Sequence, residues 1–114
     1  MAIRRRQIES IVVLYPVGSF YGDHETDELQ KAIMDEAAAG NQRLILNLGD
    51  CQALNSIAIG VLMRGFTNYK SRGGDIRLCG LGKRLTDLFT MTKLIYVFGH
   101  FDTEEEALAS FAVA

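Results

Sequence analysis

Proline occurs once, tryptophan not at all, and cysteine and histidine only twice each in this 114-residue chain. Each scarcity removes a class of protein. The two cysteines, Cys51 and Cys79, lie in or beside apolar runs without a CxxC or a Cys/His neighbour at metal-ligating spacing, so neither a disulfide scaffold nor a zinc module is expected. Both read as reduced thiols of a cytoplasmic protein. His24 and His100 are far apart, and no serine, cysteine or carboxylate can be set beside either from spacing alone. No metal, no cofactor and no catalytic residue is expected, and the chain is read as a non-enzyme. Long hydrophobic runs are also missing: Ile11 to Tyr15 is far shorter than the ~20 residues a membrane span requires, so neither a signal peptide nor membrane insertion is expected. Charge of one sign is lacking too. Twelve basic against fourteen acidic residues leave a net charge of −2, which argues against a nucleic-acid partner. The single basic run, Arg4-Arg5-Arg6, reads as a solvated edge strand.

What is present is a hydrophobic content of 48%, enough for a single domain over residues 1–114 to bury a core. Residues 3–9 alternate weakly and 10–17 form a denser apolar run, giving two strands, the second ending near Pro16. Gly18 to Gly22 reads as a loop bearing Phe20 and Tyr21. Asp23 to Ala39 reads as a helix, with Asp23 in the N-cap position, acidic first turns, an apolar face at Leu29, Ala32, Ile33 and Ala37, and Gly40 as its stop. Residues 44–48 form a strand. Ala58, Val61, Leu62, Gly65, Phe66 and Tyr69 then make a helical stripe that ends at Arg72-Gly73-Gly74. Ile76 to Cys79 is the next strand and Lys83 to Met91 the next helix. Ile95 to Phe98 is expected as the last strand, and Thr103 to Phe111 as the last helix, with Thr103 and Glu106 at capping-box spacing. The order ββαβαβαβα implies an α/β fold: a mixed, mostly parallel sheet with right-handed crossovers and helices packed mainly on one face.

Gly80-Leu81-Gly82-Lys83 invites a phosphate-loop reading, but it has neither the spacing of a Walker loop nor the third glycine of a dinucleotide fold. It is read as a plain strand-to-helix turn. The junction at Asn55-Ser56 is more informative. A serine hydroxyl falls at a helix N-terminus, where free N–H groups and the dipole favour an anion, so Ser56 is either a cap or a chemical site.

RLILNLGDCQALNSIAIGVLMRG, then SRGGDIRLCGL, then LTDLFTMTKLIYVFGHFDTEEEAL, together with Gly18 after the second strand, resemble the STAS domain, and in particular its stand-alone bacterial anti-sigma-factor antagonists. The resemblance runs from about Ile3 to Phe111. Where that family typically carries Asp-Ser-Ser-Gly-Leu-Gly, this chain has Asn55-Ser56-Ile57-Ala58-Ile59-Gly60, and Lys93 stands where a glycine is often found before the last strand. The resemblance implies a partner-switching cycle. The antagonist binds an anti-sigma serine kinase, the kinase uses ATP to phosphorylate the antagonist's serine, and a serine phosphatase resets it. By position the phosphoacceptor is Ser56, and the partner-binding rim is Asn55, Ser56, Ile57, Ala58 and Ile59, extended along the helix by Arg64 and Asn68. A homodimer is left open. The alternative is a non-phosphorylated STAS scaffold subunit of a transporter or stress-signalling complex.

Overall fold

The computed structural model describes residues 3–112. Strands β1 (Ile3–Ile8) and β2 (Ile11–Pro16) form an antiparallel hairpin with Ile8 opposite Ile11, and Glu9 takes a positive φ of 55° in the tight turn between them. From β2 onward the main sheet is parallel. The chain adds β4 (Arg43–Asn47), β6 (Asp75–Cys79) and β7 (Gly99–Phe101) in the order β1-β2-β4-β6-β7.

Each parallel step moves in the same direction across the sheet, so right-handed crossovers bring α1 (His24–Ala38), α2 (Ser56–Ser71) and α3 (Lys83–Met91) to one face. Strand alternation shows the result. Val12, Leu14, Leu44, Leu46, Ile76 and Leu78 share a core with Leu29, Ile33, Val61, Leu62, Leu85 and Phe89. The intervening residues Ile11, Val13, Ile45 and Cys79 point the other way and are covered by Ala107 and Phe111 of α4 (Glu104–Ala112). Thr103 and Glu106 close the expected capping box, the Glu106 amide donating to Thr103 Oγ1 (3.1 Å) and the Thr103 amide to Glu106 Oε1 (3.2 Å).

The edge strand keeps its arginines in solvent yet anchored. Arg5 forms a bidentate pair with Glu36 of α1, and Arg6 Nη1 donates to Glu104 Oε2 at 2.7 Å on the opposite face. Two further tertiary links fix the α2 end of the core. Tyr69 is buried with its hydroxyl donating to the Ile33 carbonyl (2.9 Å), and burial pushes that phenol up to about 12. Gly74 lies so close to Gln42 that a Cβ would press on its carbonyl oxygen.

The structure departs from the sequence reading in three places. Gly18 to Phe20, expected as loop, is a strand, β3, paired in parallel with β5 (Cys51–Leu54), a stretch to which the sequence reading assigned no element. The pair forms a separate two-stranded ribbon, and Phe20 is fully buried rather than displayed. Runs of three and four residues are too short to show an alternation, and Gly18 at φ +97° masks the first of them as a turn. Third, Ile95 to Phe98 is not a strand. Leu94–Tyr96 is a 3-10 turn and the strand follows at β7, because the apolar side chains Leu94 and Phe98 are spent on the core, Phe98 packing edge-on to Phe66 (4.8 Å between ring centroids).

Lys93 occupies the left-handed region (φ 63°, ψ 12°) at the head of that turn, a conformation glycine adopts without steric cost. Lys93→Gly is expected to stabilise the domain by about 0.5–1 kcal/mol, raising the melting temperature by roughly 2–4 °C in calorimetry. Gly74→Ala is expected to lower stability by about 2 kcal/mol or more, because its Cβ meets backbone that cannot swing aside.

Candidate functional site

Strands β2, β4 and β6 end at the same pole of the sheet, and the ribbon of β3 and β5 is built there, the Gly18 amide donating to the Asp50 carbonyl (2.9 Å). Ligand and partner sites of open α/β sheets concentrate at this carboxyl edge. Helix α2 starts at this pole, directly after β5.

Asn55 is the residue that assembles the junction. It is the N-cap of α2, with extended backbone (φ −100°, ψ −176°), and its Oδ1 accepts from the Ala58 amide at 3.1 Å. Its Nδ2 donates to the Tyr21 carbonyl (2.8 Å), and its own amide donates to the Phe20 carbonyl (3.1 Å). One side chain therefore caps the helix and ties it to the segment leading into α1. The second of these side-chain bonds explains the departure from the aspartate of the STAS pattern: a carboxylate could cap α2, but it has no proton to give the Tyr21 carbonyl.

The cap being Asn55, Ser56 is not one. It is the first helical residue, exposed, and no hydrogen bond engages its hydroxyl among the described residues. Ile57 is 56% exposed and leans on Gly22, whose φ of +90° and lack of a side chain admit it: a Cβ at Gly22 would fall 2.7 Å from Ile57 Cδ1. Tyr21 (55% exposed), whose carbonyl accepts from Asn55 Nδ2, adds apolar surface from the segment that precedes α1. Ser56 is thus a free hydroxyl beside an apolar rim.

The other rim candidates divide. Ala58 is fully buried under the helix and belongs to its core stripe, so its side chain cannot touch a partner. Ile59 is half-buried and packed against the core. Arg64 is exposed. Asn68 is half-buried, and its Oδ1 accepts from Arg72 Nε at 3.1 Å. Sequence reasoning missed Tyr21 as part of the rim. Tyr21 was visible as an aromatic between two glycines, but only the bond from Asn55 reveals which helix it adjoins.

Nucleophilic chemistry has no support here. Cys51 and Cys79 are buried in different clusters, and burial pushes both thiols up to about 11, leaving them protonated at neutral pH. Among the described residues no three His, Cys, Asp or Glu side chains gather as metal ligands.

The architecture is a mixed-sheet α/β domain with an exposed serine hydroxyl at the start of α2. The STAS domain family model matches residues 2–107, and the chain belongs to that family. The anti-sigma F factor antagonist of Paenibacillus polymyxa is 27% identical over 93 residues, covering 80% of each chain. Among solved structures, a candidate anti-sigma factor antagonist from Thermotoga maritima superposes with a TM-score of 0.88 at 21% identity, over 95% of this chain and 92% of the other. The anti-sigma factor antagonist SpoIIAA in its unphosphorylated form gives 0.79 at 17% identity, over 99% and 100%. The Bacillus SpoIIAA in its phosphorylated form gives 0.75 at 18%, over 96% and 99%.

Asn55→Ala is expected to cost about 1–2 kcal/mol and to speed hydrogen exchange at the Ala58 amide. Asn55→Asp should keep that amide protected while the Tyr21–Gly22 segment loosens. Equal protection losses in both variants would overturn the division of labour between Oδ1 and Nδ2.

Proposed function

We propose that this protein is an anti-sigma-factor antagonist that docks on an anti-sigma serine kinase through the α2 start and its rim, and that phosphorylation of Ser56 ends the interaction. The observation that carries this reading is the state of Ser56: exposed, outside the capping arrangement and flanked by the exposed Ile57 and by Asn55, whose side chain holds the Tyr21 segment. The naming of the Paenibacillus polymyxa relative and the match to both forms of SpoIIAA support the same reading.

The chemistry asked of the partner is a phosphoryl transfer. Ser56 Oγ attacks the γ-phosphorus of ATP, the bond to the bridging oxygen breaks, ADP leaves, and the hydroxyl proton passes to a base. Asn55 cannot be that base, since its amide has no basic site. A serine phosphatase returns the hydroxyl by hydrolysis.

The product carries roughly −1.5 to −2 charges at pH 7. At the first turn of α2 the fold tolerates them, because the helix dipole favours a negative group there by about 0.3–1 kcal/mol. A partner surface shaped to a neutral hydroxyl and an apolar rim does not, since it would have to desolvate the dianion or meet it with like charge. A difference of ~2.8 kcal/mol suffices for a hundredfold loss of affinity. The rim supplies the binding energy that is lost.

Incubation with the anti-sigma kinase and ATP is expected to add one phosphate by intact mass, and Ser56→Ala to abolish the gain. Ser56→Glu should weaken kinase binding by roughly tenfold to a hundredfold in calorimetry without lowering the melting temperature. An active kinase that leaves the wild-type mass unchanged would sink the switch and favour the unmodified scaffold.

A further inference from the structure

We propose that the amino pole of the sheet, opposite the start of α2, holds a binding site for a small phosphate-bearing anion, formed by Arg43, Lys70 and Arg77.

Three elements bring these cations together. Arg43 opens β4 and stands beside Asp75, the first residue of β6, with Arg77 two residues farther along. On both strands these positions alternate in phase with Ile45 and Cys79, so both arginines lie on the sheet face that α4 covers. The last turn of α4 supplies Ser110 and Phe111, and the last turn of α2 brings in Lys70. Between them is a cavity of about 320 Å³, bounded also by Gln42, Gly73 and Gly74. Gly73 has a φ of +83° and open space where its Cβ would be, so that wall carries no side chain.

The charge of this lining is opposite to that of the molecule. Over the whole chain acidic residues outnumber basic ones by fourteen to twelve, yet the cavity sets three cations against one carboxylate, Asp75. Structural duties take up part of that charge. Arg43 Nη1 donates to the Phe111 carbonyl (3.3 Å) at the end of α4, and its Nε and Nη2 have no hydrogen bond among the described residues. Arg77 stacks on the Phe111 ring (3.9 Å), donates from Nε to Asp75 Oδ2 (2.9 Å) and from Nη1 to Ser110 Oγ (2.8 Å). These contacts fix its plane and leave Nη2 without a partner among the described residues. Lys70 Nζ is 3.9 Å from Asp75 Oδ1, beyond hydrogen-bond distance.

The ligand class follows from the excess charge and the type of donor. A single carboxylate would leave the lining positive, whereas a phosphomonoester brings roughly −1.5 to −2 charges at pH 7 and three acceptor oxygens. Guanidinium forks match those oxygens, and an arginine already held by a carboxylate, a hydroxyl and a ring loses little freedom on binding. The volume is at the lower end of small-molecule sites and suits a phosphate with a few further atoms. The ends of α2 and α4 oppose an anion with roughly half a charge each, so the side-chain donors carry the affinity.

The test titrates the ¹⁵N-labelled protein with inorganic phosphate and, separately, with glycerol phosphate, at an ionic strength held constant with chloride. Saturable shifts of the Gly73, Gly74, Asp75 and Ser110 amides are expected, with a Kd on the order of 1 mM. Tighter binding of glycerol phosphate supports the site as one for a phosphomonoester, and tighter binding of inorganic phosphate supports it as one for the free ion. Arg43→Gln and Lys70→Gln, both at exposed positions, should each weaken binding by roughly fivefold to tenfold. Arg84→Gln removes the same charge from an exposed position on α3 and should leave binding within about twofold. Arg77 stays in place throughout because it also fastens α4. Cavity amides that do not shift by about 20 mM of either anion overturn the site. So do shifts that never saturate, or an Arg84→Gln loss as large as that of Arg43→Gln, since both mark general screening of surface charge.

Discussion

Burial of β4 on both faces is the constraint from which the rest of the architecture follows. Leu44 and Leu46 point to the core under α1, α2 and α3, and Ile45 points to the core under α4; all three are fully buried. A strand of five residues with no solvent face needs cover on each side. One-directional crossovers place every helix that precedes β7 on the same side, so the other side depends on α4 alone. This is why α4 is fastened at both ends. Its start is held by the Thr103–Glu106 capping box and by Glu104, which accepts from Arg6 of the edge strand and from Asn47 at the end of β4 (3.0 Å). Near its end, Arg77 stacks on the Phe111 ring (3.9 Å) and donates to Ser110 Oγ (2.8 Å).

The same constraint explains which parts of the molecule could be read from the sequence. Dense apolar runs such as Leu44 to Leu46, and the helical stripe from Ala58 to Tyr69, are direct imprints of burial, and they locate the layers correctly. The ribbon of β3 and β5 left no such imprint. Its strands contribute Phe20, Cys51 and Leu54 to the core, but a short strand offers too few positions to establish a period. Ile95 to Phe98 failed for the opposite reason: it is apolar enough for a strand, yet its apolar atoms serve core packing from an irregular segment. At the site, the helix start at Asn55-Ser56 was legible because a helical stripe follows it, but which of the two residues caps it was left open, and the structure gives the cap to Asn55. The burial of Ala58 was legible too, since it opens that stripe. Its place in the expected rim came from its neighbours in the motif, and three-dimensional phase decides against it.

Separating the cap from the modifiable hydroxyl matters for how a switch at this position could work. A serine that both capped α2 and accepted a phosphate would surrender its hydrogen-bonded oxygen geometry on modification, and the helix start would move with it; a lost cap costs about 0.5–2 kcal/mol. Here the Ala58 amide is held by Asn55 Oδ1, which phosphorylation of Ser56 does not touch. The bond from Asn55 to the Tyr21 carbonyl also persists, so the apolar rim stays in place. On the proposed reading, the free energy of modification is therefore spent at the partner surface and not on refolding the antagonist. The same scaffold is presented in both states, differing in charge at one exposed position. On that reading, discrimination of the order of a hundredfold requires only that the partner desolvate that position while resting on the exposed Ile57 and Tyr21 beside it.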